Sequence, residues 1–316
     1  MIVYLNNPIK VFLVLILLSI TTGVFSQGCS DAGFCTMGAM RPNQHFSSKL
    51  SMKVKSLEVG QYIGYTKFKD VILSYIAEVN VGVNSKTAVQ IKLPYTFVSG
   101  FLANTHGLGD ISLSATRNIL YRESHQINLT VGSKIPTNDA NKKSDGRPLP
   151  MYYQTSLGTF DVVFGISMVT KNWLFATGYQ QSLNPIDNKF KWGDWKNTEF
   201  KDHVFVYPVS NKIRRGKDIM FRVERNFRSS RFNAYLGLLP IIRVTKDRVE
   251  DPKTQEIVKV EGSDGLALTA LFGFGYRFSI KSSFKFLGGV GLVQRDFNPD
   301  GLSRDFVNTI SYEYRF

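Results

Sequence analysis

The chain of 316 residues has two cysteines, four histidines and 11 prolines. Two cysteines cannot make a disulfide scaffold, and no His or Cys cluster stands at metal-ligand spacing, so no metal centre or cofactor is expected. None of His45, His106, His125 and His203 lies in a zincin or triad context, and the chain is not read as an enzyme. Beyond the first 26 residues there is no run of about 18 apolar residues, which excludes a spanning helix. The mean hydropathy of −0.10 agrees. The net charge is +14, yet no zinc spacing, aromatic–glycine motif or basic helix accompanies it, and nucleic acid is not an expected partner.

What is present is a two-residue alternation, repeated along most of the chain. Its clearest case is Asp305 to Phe316, where Phe306, Ile310, Tyr312, Tyr314 and Phe316 share one parity. Asp305, Thr309, Ser311, Glu313 and Arg315 share the other. Side chains on a strand alternate faces, so the segment has an apolar side and a polar side. The same counting reads Val71 to Val83 and Val89 to Phe97 as strands joined by a turn at Asn84-Ser85-Lys86. It continues through 110–121, 126–135, 159–170, 173–183, 218–227, 232–244, 266–278 and 284–292. Lys49 to Tyr65 is the least regular run, and Gly60 is expected to mark a bulge. Pro94 falls on the polar parity and is expected at a bulge or inward kink.

About twelve strands result, and their connections alternate in length. Short turns fall near Ser85, Glu123, Lys171, Ser229 and Ile280. Long links fall near 98–108, 137–157, 184–216, 246–264 and 297–304, with a short link near Lys67 to Asp70 as the exception. Short turns at one end and long loops at the other are the pattern of an outer-membrane barrel. The fold class expected is therefore all-β: a transmembrane antiparallel β-barrel over 47–316, with no open edge to face lipid. Its inner face would carry Glu78, Lys92, Asp110, Lys134, Asp161, Arg222, Glu224, Arg277, Lys285 and Glu313 as lumen or mouth candidates.

Met1 to Ser26 reads as a signal peptide: Lys10 precedes the apolar run Val11 to Ile20, and Val24-Phe25-Ser26 offers a cleavage site. A lipoprotein signal at Cys29 is the rival, and Ser26-Gln27-Gly28 matches it poorly. Export takes Cys29 and Cys35 to an oxidising compartment, where a structural disulfide in an N-terminal arm over 27–46 is expected. That arm would lie in the periplasm or enter the barrel. The basic charge fits loops and lumen, facing lipopolysaccharide phosphates, biasing a pore toward anions, or simply solvated.

Three motifs stand at strand ends. Gly107-Leu108-Gly109-Asp110 precedes a strand, Gly132 to Asp139 ends one in a turn, and Gln154 to Asp161 opens the next. Turn chemistry alone accounts for them; the functional alternative is a shared polar cluster at the extracellular mouth. In this order, GLGD, G-x-K-x-P-T and LGT-x-D, they resemble the outer-membrane barrels named after the MetA pathway of phenol degradation, over about 70–184. Asn138 stands where that family has Gly. The resemblance implies a barrel in the bacterial outer membrane that moves small hydrophobic or aromatic solutes. A strand ending on Phe316 also resembles the closing strand of such barrels, whose last residue is read by the barrel-assembly machinery. Lipid and lipopolysaccharide complete the expected partners. The alternatives are a non-conducting binding or structural barrel, with Trp192 and Trp195 as contacts or covers, and a lipid-modifying barrel enzyme with a wall-mounted Ser–His pair.

Overall fold

The computed structural model describes residues 36–41 and 53–316. The expected signal peptide, Cys29, Cys35 and His45 lie outside the described residues. Twelve strands form one closed antiparallel barrel: β1 (Lys53–Tyr65), β2 (Val71–Gly82), β3 (Thr87–Ser99), β4 (Ile111–Tyr121), β5 (His125–Ile135), β6 (Asp161–Thr170), β7 (Trp173–Ser182), β8 (Asp218–Arg228), β9 (Phe232–Arg243), β10 (Gly265–Arg277), β11 (Ser282–Val293) and β12 (Phe306–Arg315). Each strand pairs with its neighbours in sequence, and β12 returns to β1 through an unbroken register from Ser56↔Arg315 to Tyr65↔Phe306. No strand edge of the barrel is left open, so the backbone groups of the wall are satisfied without water.

Parity sorts the wall. On β6, Phe164, Ile166 and Met168 are exposed on the outside, while Val163, Ser167 and Val169 are buried inside. On β5, Leu129 and Val131 point out, and Asn128, Thr130 and Lys134 point in. Hydroxyls and amides pair across the strands on the inner face: Ser74 with Thr96 at 2.7 Å, Thr116 with Thr130 at 2.7 Å, and Asn118 with Asn128 at 2.9 Å. Strands of 10 to 13 residues match the length a tilted strand needs to cross the hydrocarbon core. In water such an outside would be a very large apolar patch; in lipid it is the ordinary wall of a barrel.

Gly60 is in register opposite Ile76 and Ser311, and the slip in β1 falls between Val54 and Ser56 instead. Gly60 serves a different need. A Cβ there would meet Ser311 Cβ at 3.0 Å and the Ile310 carbonyl at 3.2 Å, so glycine lets β12 close against β1. Pro94 also keeps its place, opposite Ile76. Its other side is where β3 changes partner, from β4, ending at Lys92↔Ser112, to the folded-back segment Asn104–Leu108, starting at Tyr95. Proline has no N–H to lose at that break.

The long links are structured. They contain the short hairpins Lys143–Ser144 with Arg147–Pro148 and Arg248–Glu250 with Ile257–Lys259. Single 3-10 turns occur at Met151–Tyr153, Trp192–Trp195 and Val204–Val206. These loops fold over the mouth as a cap, whose Leu102, Leu149, Tyr152, Phe190, Trp195 and Val204 form one apolar core with Tyr62, Ile72, Val98 and Val307 of the wall. Trp195, expected as a contact or cover, is 1% exposed and donates its indole N–H to the Pro148 carbonyl. Trp192 keeps one face in solvent and donates to the Tyr207 carbonyl.

Ile166→Arg, at the middle of the outer face of β6, is expected to destabilise the barrel in lipid vesicles by about 2–4 kcal/mol, measured by urea titration of the heat-modifiable gel shift. An unchanged midpoint would contradict a lipid-facing wall.

Candidate functional site

The lumen is the one feature that draws together the polar side chains of most strands, and it is organised in three levels. In the half nearer the short turns, Glu58 on β1 stands directly opposite Glu78 on β2 and Glu313 on β12. Like charges opposite one another destabilise a sheet. Cations answer them from three directions. Lys285 bridges Glu58 at 2.7 Å and Glu313 at 3.1 Å. Lys92 reaches Glu78 at 3.2 Å. Arg41, from the N-terminal arm, spans Glu58 and Glu78 with one guanidinium nitrogen on each, both at 2.9 Å.

Above this row lies the arm itself. Residues Thr36 to Arg41 occupy the interior of the cylinder. The Gly38 amide donates to Gln90 at 2.8 Å, the Ala39 amide to Thr130 at 2.6 Å, and Lys92 donates to Thr36 at 2.9 Å. Arg222 reaches the Met40 carbonyl at 3.4 Å and pairs with Glu224 at 3.1 Å. Met37 and Met40 pack on an apolar patch of the inner wall made by Val163, Ala176, Met220, Leu239 and Leu271. The wall is shaped for them: a Cβ at Gly165 would lie 2.5 Å from the Met40 sulfur.

At the mouth, the three strand-end motifs meet. Asp110 accepts from the Ser156 hydroxyl and from the Leu157 amide at 3.2 Å, and pairs with Lys134 at 3.4 Å. Asn138 holds the Ala140 amide at 3.0 Å and Thr155 at 3.2 Å, so its side chain supplies turn contacts that glycine lacks. Asp161 accepts from Thr159, Gln180 and Arg215. Arg215 is shared with Asp300 at 3.5 Å. Arg243 lies across the same carboxylate at 2.9 Å, with Asp218 and Asp247 both at 2.8 Å. Burial pushes the Asp300 carboxyl up, but Arg243, Arg295 and Arg215 outweigh it and hold it well below the ordinary carboxylate range.

Of the residues the sequence singled out, Glu78, Lys92, Lys285 and Glu313 lie in the lower row, Arg222 and Glu224 beside the arm, and Asp110, Lys134 and Asp161 at the mouth. Arg277 is the departure. It is the last residue of β10, so its inward parity ends at the short-turn rim, and it is exposed there rather than luminal. Sequence reading missed Glu58, although Leu57 and Val59 on either side mark it as inward. It also missed Arg41, Arg215, Asp218, Arg243, Asp247 and Asp300. Asp218 and Arg243 form a direct cross-strand pair, which a register would have revealed; Asp247 and Asp300 come from loops with no periodicity.

The three described histidines, His106, His125 and His203, do not converge. His106 stacks on Tyr95 on the outer face, with Nδ1 2.9 Å from the phenol oxygen. His203 lies against Phe101 in the cap. Ser124 and His125 are hydrogen-bonded at 2.9 Å, but they are sequence neighbours in a short turn, and among the described residues no carboxylate is bonded to the ring to orient it.

The cap rests on a buried carboxylate. Asp70 accepts from Tyr153 at 2.7 Å, Tyr207 at 2.9 Å and Thr66 at 3.1 Å. Burial pushes Asp70 up from its ordinary value near 3.8, against the pull of those three hydroxyls. A raised carboxyl pKa favours the fold below the ordinary value and loses that contribution as pH rises through the raised one. The Leu102 amide, which donates to Tyr153, is expected to lose exchange protection as pH rises above the ordinary carboxylate range, and Asp70→Asn is expected to flatten that slope. Equal slopes in the two proteins would contradict the role of Asp70.

No family model matches the chain, and no curated protein matches it. Among solved structures, the chain is similar to the NanC porin at 10% identity over 83% of this chain and 100% of that one, with a TM-score of 0.45. It is similar to the KdgM porin at 6% identity over 83% and 99%, with a TM-score of 0.41. It is also similar to the Ralstonia pickettii toluene transporter TbuX at 10% identity over 84% and 90%, with a TM-score of 0.40. What the chain has in common with these proteins is the antiparallel β-barrel.

Proposed function

We propose that this protein is an outer-membrane channel for small, hydrophobic or aromatic solutes, closed by its own N-terminal arm, with both termini on the periplasmic side. The observation that carries the reading is the arm in the lumen. Eight-stranded barrels are filled by wall side chains, and sixteen-stranded ones stay open. Here twelve strands leave a space that a six-residue chain segment occupies. The segment is held by a few polar contacts and two methionines on an apolar patch. Methionine is an adaptable filler, and the patch it covers is the surface that an apolar solute would use once the arm moved. The strand-end motifs resembling the MetA-pathway barrels favour the same solute class.

Arg41 is the pin. Hydrogen bonds to charged groups contribute about 1.5–3 kcal/mol each, and Arg41 is partly exposed to the lumen, so its loss is taken at the lower end. Arg41→Ala is expected to raise the open fraction about tenfold, read as more frequent single-channel openings in planar bilayers. Removal of residues 27–46 is expected to give a persistently conducting barrel and faster uptake of an aromatic acid such as benzoate into proteoliposomes. Uptake equal to that of empty liposomes in both the full chain and the arm-deleted chain would end the transport reading.

One observation favours a second reading, a non-conducting surface binding barrel: the loops bury an apolar core over the mouth. On that reading the arm-deleted chain stays silent in bilayers, and the cap over 185–215 is what its function requires.

A further inference from the structure

The two ends of the barrel differ in how their charges are matched. At the long-loop end, cations are interleaved with acids in the sequence, and several pair with them, as in Lys212–Glu250, Lys189–Asp187 and Lys246–Glu261. At the other end, each of the five short turns carries a basic residue: Lys86, Arg122, Lys171, Arg231 and Lys281. All five are exposed, and none forms an ion pair among the described residues. Glu123 is the single acid in these turns. These turns, with five cations and one acid, therefore carry a net +4 of the chain's +14 around one rim.

Just beyond that rim, Arg225 sits on the lipid-facing parity of β8, between Val223 and Phe227. Its guanidinium lies 5.0 Å from the centre of the Trp173 ring and 5.8 Å from that of Phe227. A cation on the lipid face is costly at mid-membrane and tolerated near the interface, and aromatic rings that stack it belong at headgroup depth. The pairing of Arg225 with Trp173, the first residue of β7, puts it at that depth.

We infer that the short-turn rim is a collar that binds the phosphate headgroups of anionic phospholipids in the adjoining leaflet, with Arg225 on Trp173 as its best-formed site. Charge and placement select this partner. Single cations are spaced around the perimeter, level with outward aromatic rings, where lipid headgroups stand; a soluble polyanion would need them gathered on one face. Each Lys or Arg held near an anionic surface favours it by about fivefold, and the attraction weakens with salt.

Trp173 reports on the site. The full-length protein is reconstituted in phosphatidylcholine vesicles containing a minor fraction of acyl-brominated lipid, either phosphatidylglycerol or phosphatidylcholine. A Trp173→Phe protein supplies the background from the two tryptophans of the cap. Brominated phosphatidylglycerol is expected to bind beside Trp173 at least about fivefold more strongly than brominated phosphatidylcholine. The preference is expected to fall toward unity in Arg225→Gln and in a protein with Lys86, Arg122, Lys171, Arg231 and Lys281 all changed to Gln, which leaves the wall intact. Equal quenching by the two lipids, or a preference that both variants retain, would overturn the collar. The inference rests on the wall lying in lipid and not on transport. The heat-modifiable gel shift, taken on each sample, separates failed insertion from failed lipid selection.

Discussion

The pairing of the first strand with the last is the constraint on which the rest depends. It closes the cylinder through ten paired positions, Ser56↔Arg315 to Tyr65↔Phe306, and leaves no edge in the wall. The same register sets Glu58 between Glu78 and Glu313. Three carboxylates side by side on a buried face need cations, and the wall supplies Lys92, Lys285 and Arg315. Arg41, reaching in from the arm to two of the three, completes the match. Closure of the barrel and occupation of its lumen are thereby linked through one row of side chains.

Above that row the interior changes character. An apolar patch on β6 to β10 takes Met37 and Met40, and a network of Arg215 and Arg243 with four aspartates ties the mouth of the wall to the loops. Buried ion pairs of this kind add little net stability, but removing one partner leaves a stranded charge and costs about 3–5 kcal/mol. Their effect is to fix where the loops sit. The loops then bury tyrosines around Asp70, so that the long-loop end is closed by a small folded cap rather than by loose chain.

The wall was legible in the sequence because one period generates it. Phe164, Ile166 and Met168 point out and Asp161 points in by counting alone, and the alternation of short and long links gave the even strand number. Gly60 shows the limit of that counting. Its effect is on the distance between β1 and β12 and not on register, and no single-strand pattern contains that information. Asp70, Tyr153 and Tyr207 meet across 137 residues of chain, and Asp300 joins Arg215 and Arg243 from a loop. Such contacts follow from three-dimensional closure, which periodicity does not encode. Motif order did better: GLGD and LGT-x-D meet through Asp110 and the Leu157 amide, a contact their positions at strand ends made readable.

The most direct measurement is a cysteine crosslink between arm and wall in isolated outer membranes, in a chain with Cys29 and Cys35 changed to Ser. The three atoms nearest to a Cβ added at Gly165 all belong to the Met40 side chain, its sulfur at 2.5 Å. A Met40→Cys, Gly165→Cys protein should therefore form the disulfide on mild oxidation, and the crosslinked form should keep the heat-modifiable shift of a closed barrel. Two thiols that stay free and react with a membrane-impermeant reagent would place the arm outside the lumen and contradict the link between closure and occupation.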